Sequence, residues 1–584
     1  MPGGEWLSLW PSFEPAPPPG YDFLARCADT VKMCESVAGR LGEGIFSRPA
    51  PEIARLLSDS AALRAAAAGL DGEQAASLAG DPASATLLDA QLAADAASDA
   101  MDEILQFIER EWIALADDAA AALLAEPALG PYRHYLASVR TLAPYQLAAD
   151  AETALAARDP AAETAWVDLY HRVMAALRPV VDGAPMSMEE ARGLLETDEP
   201  ALRDRSLDAI YDAIEPVQEM LAHCLDTLIA DRLAVNELRG LPYDRAERDL
   251  TNELPRKVVD EMLAAVEGHY HLAQRWFAAK AALLGNERPR FADMRAPIGS
   301  RPRVPYATAT GLIAEAFAGF APEAGQMVRE MARHGRVDAE PRAGKQPGGF
   351  CWSLGPGQPP RIMLSYLGST EDVVALAHEL GHALHFTLAG RQQDGLSFDP
   401  PLALSEVAPA FAELLVLDWL IDHERDPDGR RLLAAKRADI VIEAVYSSTF
   451  LTSLEARAQA ERAAGTVLTG QRAQQLWADC GAAFYGPAMA CPSRWGLHWA
   501  LVPHLIHERY YSYIYAFARL IGINLYADYR RDPGQVRERV LALLAGGSSM
   551  APAAQLAATG IDISDPVTWD RGFEELARLL DPLC

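Results

Sequence analysis

The chain has 584 residues, half of them hydrophobic, and a formal net charge of −29 at neutral pH. That charge excludes nucleic acid and anionic membrane surfaces as partners, because both would repel it. Seven cysteines, scattered and without a C-x-x-C pair, read as free thiols of a reducing cytoplasm.

Residues 1–20 carry no basic start and no apolar run. Pro15–Pro19 makes them a proline-rich lead-in, with no targeting signal. An N-terminal helical lobe, 21–185, follows. Ala28–Phe46, Pro51–Ala68, Thr86–Leu124 and Thr164–Leu177 repeat apolar residues with helical period, punctuated at Asp71-Gly72, Gly80-Asp81-Pro82 and Gly130-Pro131. From 186 to the end we expect one catalytic domain. Ser187–Glu190 opens a short helix, Asp204–Leu238 reads as one long helix, and Asn252–Leu284 as a helix pair. The most apolar window, Pro400–Ile421, holds Glu406, Glu413 and Asp418, so no membrane span is expected.

Residues 335–366 are the one clearly non-helical stretch. Gly349–Leu354 and Arg361–Tyr366 flank a Gly355-Pro356-Gly357 turn and predict a β-hairpin. An exposed strand edge there would hold an extended peptide by backbone hydrogen bonds; the plainer alternative is a small structural sheet.

The next stretch carries chemistry. His378-Glu379-Leu380-Gly381-His382 is an H-E-x-x-H motif. Ser369 and Asp372 predict a capping box at the start of its helix, and Gly390 a stop. Positions i and i+4 share a helix face, so His378 and His382 can bind one ion. Zn²⁺ takes imidazole nitrogen at about 2.0–2.1 Å, and catalytic zinc keeps three protein ligands with one open position. Glu379 stands where it can take a proton from water there. His385, one turn on, reads as a packed histidine. Leu402–Leu415 predicts a second helix, capped at Ser405, with Glu406 and Glu413 on one face among apolar neighbours. Buried carboxylates need partners or metal. Glu406 is the best candidate for the third ligand, and Glu413 the candidate to accept the second N–H of a ligand histidine. Two satisfied core histidines and a solvated acidic stripe are the alternatives.

The segment His378–Glu413, H-E-L-G-H-A-L-H followed by S-E-V-A-P-A-F-A-E, resembles the thimet oligopeptidase and oligoendopeptidase F family of zinc peptidases. The likeness extends upstream to Arg239-Gly240-Leu241-Pro242-Tyr243 and to the D-x-x-A-P turn at Asp293–Pro297. It implies a mostly α, two-lobed helical ellipsoid with a deep substrate channel, and a small β-hairpin beside the zinc helix. It also implies a cytoplasmic zinc oligoendopeptidase that cuts internal bonds of short unstructured peptides, with one Zn²⁺ and Glu379 as general base. In the family a histidine and a tyrosine-rich run donate hydrogen bonds to the oxyanion. The matching stretch is Val502–Leu520, with His504 and Tyr510, Tyr511, Tyr513 and Tyr515. Tyr513 is the first choice as donor and Tyr510 the second. Ile506 stands where relatives often have tyrosine, and either His504 or His507 fills the histidine role. A zinc carboxypeptidase on a related scaffold and a non-catalytic peptide-binding protein are the competing readings.

Overall fold

The computed structural model describes residues 21–80, 85–299, 303–342, 345–346 and 348–584; the expected lead-in, 1–20, lies outside them. Most described residues are helical, with two small sheets. Strands β1 (Val180–Val181) and β2 (Ala184–Pro185) form an antiparallel ribbon. Strands β3 (Val337–Asp338), β4 (Gly349–Trp352) and β5 (Arg361–Leu364) form a sheet of order β3-β5-β4. The expected hairpin is β4 against β5, antiparallel, with Gly349 opposite Leu364 and Trp352 opposite Arg361. Among the described residues β4 is an edge strand.

The chain folds into two compact units that interleave along the sequence. One comprises Met1–Pro144, Arg301–Glu424 and Ile521–Thr568; the other comprises Tyr145–Ser300, Arg425–Leu520 and Trp569–Cys584. These differ from the contiguous 21–185 and 186–584 expected from sequence. The reason lies in the packing of the first unit. Its core gathers Ile53, Leu57, Ile104, Trp112 and Leu136 from the N-terminal helices together with Leu396, which follows the zinc-motif helix. The backbone N–H of Gln346 also donates to Ala79 O at 3.0 Å, so the N-terminal helices and the sheet region close one core.

Local chemistry explains where helices begin and break. Thr370–Ala389 starts with the predicted capping box, Ser369 and Asp372 each satisfying the other's backbone N–H. The stretch expected as one helix over 204–238 is instead Pro200–Ile214 and Gln218–Arg239, joined by a 3₁₀ turn at Glu215–Val217. Pro216 lacks an N–H and crowds the carbonyl four residues back. Conversely, Ala50–Gly80 runs unbroken through Asp71-Gly72. Gly72 is buried there and Asp71 accepts the Ser98 hydroxyl at 2.5 Å, so tertiary packing overrides local propensity.

In the second unit, buried Arg203 donates to Asp293 at 2.8 Å, and Asn286 Nδ2 donates to the other Asp293 oxygen at 2.8 Å. The D-x-x-A-P turn is thus anchored by its aspartate. Tyr270, Phe277, Tyr446, Phe450, Phe484 and Tyr485 build the aromatic core beside it. No described helix is long and apolar enough to cross a membrane.

Candidate metal centre

The zinc-motif helix Thr370–Ala389 packs along a second helix, Val407–His423, in the first unit. Gly381 makes the approach possible, since a Cβ there would lie 2.7 Å from Pro409 Cα. Glu406 does not lie within a continuous helix as expected. A short turn, Leu402–Ser405, ends before it, and Glu406 is the N-cap of Val407–His423. Pro409 is the cause: its ring is incompatible with a helix running back through Ser405. The break aims the Glu406 carboxylate at the histidine pair.

His378 Nε2 lies 3.6 Å from Glu406 Oε2, and His382 Nε2 lies 3.9 Å from the same oxygen. One ligating atom from each of the three residues falls within 4.8 Å of the others. His378 Nδ1 lies 2.7 Å from Glu413 Oε1. In the neutral ring, with Nδ1–H donated to that carboxylate, Nε2 bears its lone pair toward Glu406 and His382, the tautomer a metal ligand needs. Two imidazoles and one carboxylate at this spacing suit a catalytic zinc site with one open position. The donor set and the carboxylate behind His378 fit such an ion.

Glu379 is 6% exposed. Burial pushes its carboxyl up to about 7, with Glu406 and Glu413 adding to the rise and His378 opposing it. A cation beside it pulls the other way. His378 is lowered by burial, but the hydrogen bond and charge of Glu413, then Glu406 and Glu379, carry it up to about 9. Burial and the neighbouring His378 and His385 drive His382 well below its ordinary value, so it stays neutral with a free lone pair. His385 is buried, and burial takes it down to about 4, as a packed histidine should be. Gly349, the first residue of the edge strand β4, abuts the base: a Cβ there would lie 2.7 Å from Glu379 Oε1. The sequence gives no warning of that contact beyond the Gly348-Gly349 pair itself.

The tyrosine run belongs to the second unit as far as Leu520. Tyr513 is 0% exposed; its hydroxyl donates to Asp249 Oδ1 at 3.0 Å and accepts from Asn252 at 3.2 Å. Tyr510 is 1% exposed and its hydroxyl donates to Asp244. Asp249 also receives the Tyr243 hydroxyl at 3.1 Å and Arg245 Nε at 2.9 Å. The R-G-L-P-Y stretch and the acidic residues after it therefore anchor the run, a role its sequence does not announce. Partly exposed His504, Tyr511 and Tyr515 cluster instead. Their ring centroids lie 5.8 Å apart for His504–Tyr511, 6.1 Å for His504–Tyr515 and 5.4 Å for Tyr511–Tyr515. His507 Nε2 lies 2.6 Å from His171 Nε2, so the two histidines share a hydrogen bond at the surface.

Residues 322–575 match the model of Peptidase family M3, and 111–178 match that of Oligopeptidase F. An oligoendopeptidase F homolog of Lactococcus lactis is 24% identical over 67% of this chain and 65% of its own length. Oligopeptidase PepF of Bacillus subtilis is 21% identical over 67% of this chain and 58% of its own. The chain therefore spans less than two thirds of these relatives' length. The structure of oligoendopeptidase-F from Enterococcus faecium superposes with a TM-score of 0.68 at 19% identity, over 96% of this chain and 98% of that one. Residues 322–575, which hold the whole His–His–Glu constellation, match Peptidase family M3, and the chain is similar in sequence and fold to oligoendopeptidases F.

Proposed function

We propose that this chain is a zinc-dependent oligoendopeptidase, cleaving internal bonds of short unstructured peptides. The observation that carries the reading is the convergence of His378, His382 and Glu406, with Glu413 behind His378 and Glu379 beside it. His378, His382 and Glu406 would hold the ion. Bound there, a zinc ion supplies Lewis acidity and lowers the pKa of water. Glu379 takes the proton of the attacking water and passes one to the leaving amine. Burial raises its carboxyl and a cation bound beside it would lower it again, which leaves it ionised to act as the base in the loaded site. Glu413 holds His378 in register by accepting Nδ1–H. The free edge of β4 is the rail for an extended peptide, and Gly349 brings that rail against Glu379 without a side chain between them.

Oxyanion stabilisation goes, by resemblance, to the histidine and tyrosine run. The Tyr513 and Tyr510 hydroxyls are sealed on Asp249 and Asp244, so we move the donor role from them to Tyr511 and Tyr515, with His504. A donor must present its O–H where charge develops.

The deciding experiment is digestion of one unstructured peptide of about ten residues, read by mass spectrometry with and without a zinc chelator. Internal fragments that vanish with chelator support the proposal. Stepwise loss of C-terminal residues would make the chain a carboxypeptidase. Intact peptide with metal bound would favour a binding protein.

A further inference from the structure

We infer that Glu455, far from the tyrosines in sequence, is the positioning residue of the tyrosine run. Glu455 lies on the helix Ser448–Ala463 and is 5% exposed. Both its oxygens accept one donor, the backbone N–H of Tyr510, at 2.8 and 2.9 Å. A buried carboxylate survives only where hydrogen bonds replace its water; Gln459 Nε2, one turn along the same helix, donates one at 3.4 Å, and the two short ones converge on a single point of the chain. That point is unusual. Tyr510 has φ of 52°, one of three non-glycine residues with positive φ among those described. Left-handed backbone is disfavoured for a bulky aromatic residue and persists only when its surroundings hold it.

The left-handed residue determines what the run presents. It separates the short turn His504–His507 from the helix that begins at Tyr513. It also lets adjacent tyrosines face opposite ways: Tyr510 goes inward to Asp244, while Tyr511 stays beside His504 and Tyr515. With a right-handed residue at 510 that alternation is lost. Glu455 therefore acts on catalysis through the backbone, by setting where Tyr511 stands. This rests on the assignment of Tyr511 and Tyr515 to the reaction.

The test uses the full-length, metal-loaded protein. In Glu455→Ala, amide hydrogen exchange at 510–512 should quicken at least tenfold while the metal content holds. In the same variant kcat should fall about tenfold or more with KM nearly constant. Glycine adopts positive φ freely, so Glu455→Ala/Tyr510→Gly should recover most of the lost kcat. Glu455→Ala/Tyr510→Phe, which keeps the backbone problem, should not. If Glu455→Ala proves insoluble, Glu455→Gln, which keeps one acceptor oxygen, should show the same kcat loss in milder form. Unchanged exchange at 510–512, or a glycine double variant no better than Glu455→Ala, overturns the inference. Full kcat in Tyr511→Phe, Tyr515→Phe and His504→Ala would instead overturn the assignment on which it rests, whatever the exchange data show.

Discussion

Glu379 and Glu413 are both buried glutamates beside His378, yet their environments give them different work. Glu413 is committed to His378 Nδ1, whereas Glu379 makes no such bond among the described residues and faces Gly349. Glu379→Gln should lower kcat by about 10²–10⁴-fold while metal stoichiometry, read by elemental analysis, stays at one ion per chain. Retained turnover would remove Glu379 as base. Glu413→Ala should instead weaken metal binding by about 10–100-fold, measured by chelator competition; unaltered affinity would leave Glu413 with no hold on the ligand. A pH effect follows from His378. Its folded pKa, about 9, lies above the 6.5 of an ordinary histidine. Its pairing with Glu413 thus stabilises the protein alone fully below pH 6.5, and that contribution fades as pH rises through about 9. A ligand imidazole must be neutral, so metal loading at about pH 7.5 should release close to one proton per ion. Calorimetry in buffers of different ionisation enthalpy would show it, and zero release would mean that His378 is already neutral.

Periodicity and capping carry the helical elements well, and carry the site only in part. The Ser369–Asp372 box, the i, i+4 histidines and the β4–β5 hairpin are local features, so the residues that form them stand next to each other on the page. The break at Glu406 is equally local: Pro409 sits in the first turn of Val407–His423, where proline is tolerated, and what the sequence does not announce is that Leu402–Ser405 forms a separate turn before it. The anchors of the tyrosine run are distant in sequence. Asp244, Asp249 and Glu455 hold Tyr510 and Tyr513 through contacts that no periodicity encodes, which is why Tyr513 looks like the obvious donor until its hydroxyl is found on Asp249. At this scale Gly381 is the element to test. Alanine there would meet Pro409 Cα at 2.7 Å and force the two ligand-bearing helices apart. Gly381→Ala should lose about 1–3 kcal/mol of stability by overpacking, and its metal affinity should fall further than a stability loss alone explains, because Glu406 moves with Pro409. Thermal unfolding with and without chelator measures both. Wild-type affinity in a destabilised variant would separate the helix contact from the ligand geometry.

For the whole molecule, the interleaved units mean that the metal centre is not the property of a contiguous catalytic segment. The sheet region and the residues after the zinc-motif helix share a core with the N-terminal helices through Gln346–Ala79 and Leu396. The C-terminal segment supplies Ala545 O, which accepts from Gln393 Nε2 at 2.9 Å, and Ser548 N–H, which donates to Ser397 O at 2.8 Å. A truncated chain, 145–584, contains every proposed ligand yet lacks one wall of their unit. It should express as insoluble or metal-free protein; a soluble fragment with one tightly bound ion would show that the ligand unit folds without residues 1–144.

The same interleaving sets the order of events at the ribosome. The histidines of the motif emerge about two thirds of the way along the 584 residues, ahead of Ile521–Thr568, which completes their unit. At about 5–20 residues per second, the ligand set waits on the order of ten seconds beside an unfinished core. On the proposed function, a ligand set that waits for this segment would be inert while the chain that carries it, an extended peptide within reach, is still being threaded out.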